Sequence, residues 1–202
     1  MSNNTITKEE IKKLMEIPGK VRGVVFKTDF EYVKEKLGNE GLTLLKEKIK
    51  EWGVSLDYEK IKITEWYPVW LRIISLLVIK EAFSWDDKKI EDLGNCAPKY
   101  SFVVATLMRH FLSLEKSIKE TPKYWEKHYT VGEIEPGPIN EKEKLVVIRL
   151  KNFKLHPILC VFFKGYFLRI SQYIIKSRKI TIEETKCMFK GDPYHEYFVR
   201  WK

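Results

Sequence analysis

The residues with the clearest capacity for chemistry lie between Ile180 and Trp201. Two runs rich in β-branched and aromatic residues flank the sequence Gly-Asp-Pro at 191–193, which predicts a β-hairpin. The hairpin carries three side chains that can bind a metal ion, Glu184, Cys187 and His195. A thiolate and an imidazole that meet on one hairpin could share a zinc ion.

The length of the turn decides whether these side chains can meet. A three-residue loop, 190–192, places Cys187 directly opposite His195 with Cβ atoms about 5 Å apart. A four-residue loop shifts the pairing by one residue and turns the two side chains to opposite faces. Strict alternation also puts Glu184 on the wrong face, so a bulge or bend would have to bring it round. The structural alternative is a buried Cys187 and a surface His195.

Elsewhere the chain contains no recognisable catalytic motif. It has no phosphate-binding loop, no Gly-x-Ser-x-Gly elbow and no His-Glu-x-x-His pair. His156 and Cys160 are four residues apart on a predicted helix, as a thiol nucleophile and its base can be. Such a pair is more often a core cysteine near a histidine at a helix start. We therefore expect a protein that is not an enzyme.

Two further histidines are candidate axial ligands of haem. His110 lies on the apolar face of a predicted helix, where the ordinary alternative is a buried, hydrogen-bonded histidine. His128 follows Trp125 near the end of another helix, where a cation suits the helix dipole.

The spacing of apolar residues and helix signals predicts a helical first part of the chain. Thr7 and Glu10 form a capping sequence that opens a first helix. Pro98 is predicted to open a helix that runs through Ile118. Thr121, followed by a proline, is predicted to cap the next helix.

The pattern changes at Tyr129. Strand, strand, a long helix from Pro157 and the two hairpin strands follow one another, with a loop predicted at 136–140. We therefore predict one α+β domain over residues 1–202. It consists of a helical half, 1–128, and a strand-strand-helix-strand-strand half, 129–202, whose antiparallel sheet is covered by helices.

Composition narrows the class of protein further. Three widely spaced cysteines argue against a disulfide framework, and the polar N-terminus lacks a signal peptide, so we expect a cytoplasmic protein. No apolar run is long enough for a membrane span. The net charge is +9, but 28 acidic residues are interspersed with 37 basic ones. No linear basic stripe stands out, and no direct nucleic-acid binding is expected.

The hairpin resembles a known family. Glu184-x-x-Cys187, then Lys-Gly-Asp-Pro-Tyr-His195 and an aromatic strand, is similar to the end of vinyl-4-reductase (4-vinyl-reductase) domains. These are small-molecule-binding modules to which haem–nitric oxide/oxygen-binding domains are distantly related. His195 stands where the family usually has a second hairpin cysteine. Upstream, Cys160-Val-Phe-Phe-Lys-Gly165 resembles the start of the family's long helix, where zinc-binding members supply another cysteine.

The resemblance covers roughly residues 121–201. It implies a zinc site formed by Cys160, Glu184, Cys187 and His195. Such a site would be structural, because four protein ligands leave no open position for catalysis.

The resemblance also implies a non-enzymatic sensor that encloses a small hydrophobic ligand and acts on a signalling or transcriptional partner. The pocket residues we expect are Phe102, His110, Trp125, Phe163 and Tyr166. An alternative is a protein-interaction scaffold that forms a homodimer through its apolar helices, because relatives of this fold include a subunit of the TRAPP vesicle-tethering complex. A third hypothesis is a haem-based gas sensor, although the Tyr-x-Ser-x-Arg signature of the haem-sensing relatives is absent.

Overall fold

The computed structural model describes residues 6–101 and 113–202. The first range contains helices and a small antiparallel sheet in which β1 pairs with β2. Its elements are α1 (Lys8–Met15), β1 (Lys20–Arg22), α2 (Val24–Glu51), β2 (Trp66–Pro68), α3 (Val69–Ala82) and α4 (Asp87–Tyr100).

The second range carries the main sheet. Its elements are α5 (Leu114–Glu126), β3 (Glu133–Asn140), β4 (Leu145–Lys151), α6 (Pro157–Ile174), β5 (Ile180–Lys186), a 3-10 turn (Met188–Lys190) and β6 (His195–Trp201). The strands form one antiparallel sheet in the order β3-β4-β6-β5. The predicted α+β class is confirmed, with a helical first half followed by strand, strand, helix, strand, strand.

Local helix signals were reliable at some positions and misleading at others. The capping box of Thr7 with Glu10 is present at the start of α1. The helix predicted from Pro98 to Ile118 is wrong as one element, because Pro98 lies inside α4 and Ser101 has an extended backbone. Phe102 and His110, both expected on that helix, lie outside the described residues.

The capping role predicted for Thr121 is also wrong. Helix α5 begins at Leu114, where the Ser113 side chain accepts a hydrogen bond from the backbone of Lys116. Thr121 lies one turn before the end of the helix, and its hydroxyl donates to the carbonyl of Ile118. The predicted loop at 136–140 is part of β3, which accommodates the two prolines through a shift in its pairing with β4.

Helices α4 and α6 approach each other closely because a glycine lies on each contact face. A Cβ on Gly94 would lie 2.0 Å from the carbonyl oxygen of Phe162, and one on Gly165 would lie 1.9 Å from that of Glu91. The close approach lets the Asn95 side chain donate to the Gly165 carbonyl over 3.2 Å. This packing fixes α6 between the helical half and the sheet.

A fully buried charged pair joins α2 to α3. Arg72 bonds the carboxylate of Asp29, which also accepts a 2.6 Å hydrogen bond from Ser75. The Ser75 hydroxyl in turn contacts the hydroxyl of Tyr58 at 2.7 Å. Arg72 also lies 4.3 Å from the centre of the Phe162 ring on α6, so the polar network holds α3 against that helix. Within the described ranges, no helix has both the length and the apolarity to cross a bilayer.

Candidate functional site

The register of the terminal hairpin brings the predicted metal ligands to one face. Glu184 pairs with Tyr197 and Lys186 pairs with Glu196, so the ladder shifts by one residue between the two pairs. Continuing the second register by one residue sets Cys187 opposite His195, as the three-residue-loop alternative predicts. The shift at Thr185 is the bulge that Glu184 needed to share this face.

The turn itself is longer than the three residues considered from sequence, and it holds the backbone of Cys187 on both sides. The carboxylate of Asp192 accepts from the Cys187 amide at 2.8 Å. The Cys187 carbonyl accepts from the amide of Lys190 at 2.8 Å. Gly191 has a φ of 96°, which favours glycine over any L residue. The Gly-Asp pair therefore positions the cysteine.

Helix α6 supplies the fourth candidate ligand from its first turn. Pro157 occupies the start of the helix, and His156 caps it by accepting a hydrogen bond from the amide of Ile158 at 3.1 Å. The imidazole nitrogen that could have served as a base towards Cys160 is therefore used by the cap. Cys160 instead faces the hairpin.

The four predicted ligands converge, with one donor atom of each within 4.8 Å of the others. The Cys160 and Cys187 sulfurs are 3.9 Å apart, and the Cys160 sulfur is 3.7 Å from Nδ1 of His195. The same Nδ1 lies 3.3 Å from a carboxylate oxygen of Glu184. Ligand atoms around one tetrahedral zinc, at their usual metal distances, lie about 3.3–3.8 Å from one another. The measured separations are close to those of a zinc coordination shell.

The orientation of His195 also suits a metal ligand. Its other nitrogen, Nε2, lies 3.3 Å from the carbonyl oxygen of Phe153. A carbonyl can only accept, so Nε2 donates to it, and Nδ1, the nitrogen that would bind a metal, faces the cluster. Metal-bound histidines are commonly held by such a second hydrogen bond. Only 1% of the surface of His195 is exposed, so the imidazole has no competing contact with bulk water.

The acidity of the Cys160 thiol depends on whether a cation is bound in the cluster. Burial raises the pKa of the Cys160 thiol, and the negative charges of Glu184 and Cys187 raise it further. A thiol with a raised pKa is a poor nucleophile, which argues against the catalytic interpretation of His156 and Cys160. A bound metal would reverse the effect, because it stabilises thiolate directly.

A separate apolar cavity of about 110 Å³ lies between the helices and the sheet. Three of the predicted pocket residues, Trp125, Phe163 and Tyr166, line it. The described walls contain no Lys, Arg, Asp or Glu. The sheet residues of the wall were not predicted from the sequence. The wall also includes Val24, Val25, Thr28, His128, Tyr129, Ile134, Val146, Ile148, Phe162, Phe167, Ile170 and Ser171.

Stacked aromatic rings form one side of this cavity. Trp125 stacks on Tyr129 with ring centres 4.5 Å apart, and its indole N–H donates to the carbonyls of Val131 and Gly132 at 3.0 Å each. Burial raises the pKa of the Tyr129 hydroxyl to about 12. The tryptophan is thus oriented by its polar edge and presents its ring to the cavity.

His128 is the one imidazole among the described cavity walls. Its Nδ1 lies 2.9 Å from the carbonyl of Tyr124. A carbonyl can only accept, so Nδ1 carries a proton and donates it. Burial lowers the pKa of His128, an effect that the Tyr124 carbonyl partly offsets. The neutral ring leaves Nε2 as its acceptor.

Comparison with known proteins gives a result for the fold alone. No protein-family model matches the chain, and no curated protein matches it by sequence. An H-NOX protein from S. oneidensis in the Fe(II)NO ligation state is similar over 90% of this chain and 99% of its own, with a TM-score of 0.69 and 12% identity. An unliganded Fe(II) H-NOX protein from K. algicida is similar over 90% of this chain and 96% of its own, with a TM-score of 0.63, again at 12% identity.

An oxygen-binding H-NOX domain related to soluble guanylate cyclases is similar over 90% of this chain and 95% of its own, with a TM-score of 0.63 and 12% identity. These likenesses establish an H-NOX-like fold. They also correct the family assignment. The similar structures are H-NOX proteins, which the sequence had suggested only as distant relatives, so the assignment to the vinyl-4-reductase domain superfamily is contradicted.

Proposed function

We propose that this chain is a small-molecule sensing module that binds its ligand in the apolar cavity. The observation that carries the proposal is the position of that cavity, which lies between the helices and the sheet of a fold shared with H-NOX proteins. Walls come from α2, α5, α6, β3 and β4, so a bound molecule would contact most of the main elements. Ligand sites are commonly concave and lined mostly by apolar side chains, as this cavity is.

The fold comparisons favour the haem-based gas sensor over the other hypotheses, because the similar proteins are described in Fe(II) and oxygen-bound states. The described walls of the cavity offer one imidazole that could be an axial ligand, that of His128. They do not otherwise fit haem. The cavity is about 110 Å³, below the roughly 300–1,000 Å³ of pockets for drug-sized ligands, and its described walls hold no cation for the haem propionates.

A small apolar ligand without haem is the second candidate, and the cavity itself favours it. Its volume is similar to the roughly 150 Å³ of an engineered apolar cavity that stays dry and binds benzene. Aromatic and aliphatic side chains make up most of the described wall. The protein-interaction scaffold and its homodimer remain predictions that sedimentation of the purified protein would test.

We also propose that Cys160, Glu184, Cys187 and His195 hold a structural zinc ion. The support is the convergence of four ligand atoms that are distant in sequence, with the imidazole already oriented by Phe153. The ion would neutralise the thiolates and join the hairpin to the first turn of α6. It would have no open position for a substrate.

Two titrations, one with haem and one with benzene, distinguish the two ligand classes. Haem added to the metal-loaded protein should give a Soret band at one equivalent if haem is the ligand, and His128→Ala should remove that band. Benzene, used as the probe for an apolar ligand, should raise the melting temperature if the cavity takes small molecules. Ile170→Trp should abolish the benzene effect by filling the cavity, with Lys119→Ala on the surface of α5 as the control. The absence of both the Soret band and the benzene-induced shift in melting temperature would contradict the proposal.

A further inference from the structure

Seven exposed lysines and arginines from three segments meet at one end of the four-stranded sheet. The segments are the turn between β3 and β4, the connection from α6 to β5, and the end of β6. We call this cluster the sheet-end basic patch, and its members are Lys142, Lys144, Lys176, Arg178, Lys179, Arg200 and Lys202.

Backbone hydrogen bonds hold the three segments together. The amide of Trp201 donates to the carbonyl of Lys144 at 3.1 Å, and the amide of Lys202 donates to that of Lys179 at 3.2 Å. The hydroxyl of Ser177 also donates to the Lys202 carbonyl. The patch is therefore a fixed feature of the fold, although its parts are about 60 residues apart in sequence.

Among the residues that the structure describes, no ion pair neutralises the positive charge of the patch. None of the seven cations forms an ion pair with any described residue, whereas lysines on the helices are commonly paired with a glutamate three or four residues away. The three segments contain two acidic side chains, Glu141 and Glu143. Seven cations against two acidic side chains leave a net charge of +5, more than half of the +9 carried by the whole chain.

We propose that the sheet-end basic patch binds the phosphate backbone of duplex DNA. This reverses the expectation from the linear sequence, in which the three segments lie apart and form no basic stripe. Five of its seven cations are lysines, a residue depleted at protein–protein interfaces, which centre on aromatic and other apolar side chains. Interfaces with duplex DNA are more polar and much more positively charged. A lysine-rich, unpaired cluster in a chain of pI about 9.3 meets the electrostatic criterion for a nucleic-acid-binding surface.

Other polyanions fit the patch less well. Single-stranded nucleic acid is bound through several exposed aromatic rings on which bases stack, and Tyr173 is the one strongly exposed aromatic near the patch within the described residues. A lipid surface is usually bound by an exposed apolar face beside the cations. Here the neighbouring Trp201 packs against the core.

The width of the patch suits a duplex. Neighbouring strands lie about 4.8 Å apart, so the ends of β4, β6 and β5 span about 10 Å. This is comparable to the roughly 12 Å width of the major groove. Cations on the two sides of the patch can therefore reach phosphates of both strands. Such contacts position a protein on DNA and carry no sequence preference of their own.

Fluorescence anisotropy with a labelled 20-base-pair duplex tests the proposal on the full chain. Between 50 and 200 mM KCl, the logarithm of the association constant should fall with the logarithm of the KCl concentration. Four to five phosphate contacts should give a slope of about −4, because each contact contributes about −0.9. The triple variant Lys176→Gln, Lys179→Gln, Lys202→Gln should reduce the magnitude of the slope by about 2.7 and weaken binding at least tenfold. These side chains are exposed and outside the cavity and the cysteine cluster.

The matched control removes the same charge elsewhere. Lys13→Gln, Lys119→Gln, Lys123→Gln alters three exposed lysines that are paired with glutamates, and it should change the affinity by less than about twofold because salt screens distant charges. Equal losses in both variants, or no binding at 50 mM KCl, would overturn the proposal. Tighter binding of poly-glutamate, phosphatidylserine vesicles or single-stranded dT20 than of the duplex would also overturn it.

Discussion

Removal of the metal from the cluster of Cys160, Glu184, Cys187 and His195 should lower the melting temperature. The size of the decrease can be calculated from the length of the loop that the metal closes. A metal that joins Cys160 to Cys187 closes a loop of 27 residues. In the chain-entropy description of a cross-link, such a loop stabilises the folded state by about 3.5 kcal/mol at 25 °C. For a chain of this length each kcal/mol shifts the melting temperature by about 2–4 °C. We therefore expect a drop of about 7–14 °C.

The assay is thermal unfolding followed by circular dichroism, with zinc content measured on the same samples by plasma mass spectrometry. The wild-type protein should retain about one zinc per chain and lose the stated stability in a strong chelator. Cys187→Ala should contain no zinc, melt at the temperature of the chelated protein and no longer respond to the chelator.

Cys96→Ala is the matched control, because Cys96 is the one cysteine outside the cluster. It should keep both the zinc and the chelator response. A wild-type protein that binds no zinc after refolding in its presence would refute the reasoning. So would a chelator effect that survives Cys187→Ala, since the ion would then lie elsewhere.

Three further outcomes follow from buried groups. Asp29→Ala should destabilise the protein by about 3–5 kcal/mol in urea unfolding, because it leaves Arg72 buried without its partner. The double variant Asp29→Leu with Arg72→Leu should recover at least half of that loss. If it recovers none, the loss does not come from the unpaired charge. Burial lowers the pKa of His128 and of His156 below 6.5, so the unfolded chain binds more protons and the unfolding free energy should fall as the pH drops below about 7. His128→Gln with His156→Asn, which keeps a capping side chain, should flatten that pH dependence. Gly165→Ala should cost at least about 2 kcal/mol by forcing α4 and α6 apart, and an unchanged urea midpoint would exclude the close contact.

The class of fold could be predicted from sequence because each half has a strong local pattern. The capping box at Thr7 and the proline at the start of α6 act within one turn of helix. Predictions failed where distant contacts override such signals. Pro98 lies within the last turn of α4, and Gly94 is kept inside the helix because it packs against the backbone of Phe162.

The candidate metal cluster was accessible to sequence reasoning for a different reason. Three of its ligands lie within twelve residues on one hairpin, so strand alternation limits their positions to two registers. The position of Glu184 depends on the bulge at Thr185, and no residue type in the sequence predicts a bulge there. The cavity walls on β3 and β4 and the partner of Arg72 were missed, because nothing in a linear pattern links Asp29 to a residue 43 positions later.

Helix α6 explains why the cluster and the cavity occur together. Its first turn presents Cys160 to the hairpin, and Gly165 contacts α4. Phe163 and Phe167 face the cavity. A helix that is buried on three sides must be apolar around most of its circumference, and the sequence from Pro157 to Ile174 has this composition. Anchoring its first turn to the hairpin would fix the rotation of the helix, and with it the direction in which the aromatic rings point. The proposed zinc ion would then define the shape of the cavity without contacting the ligand.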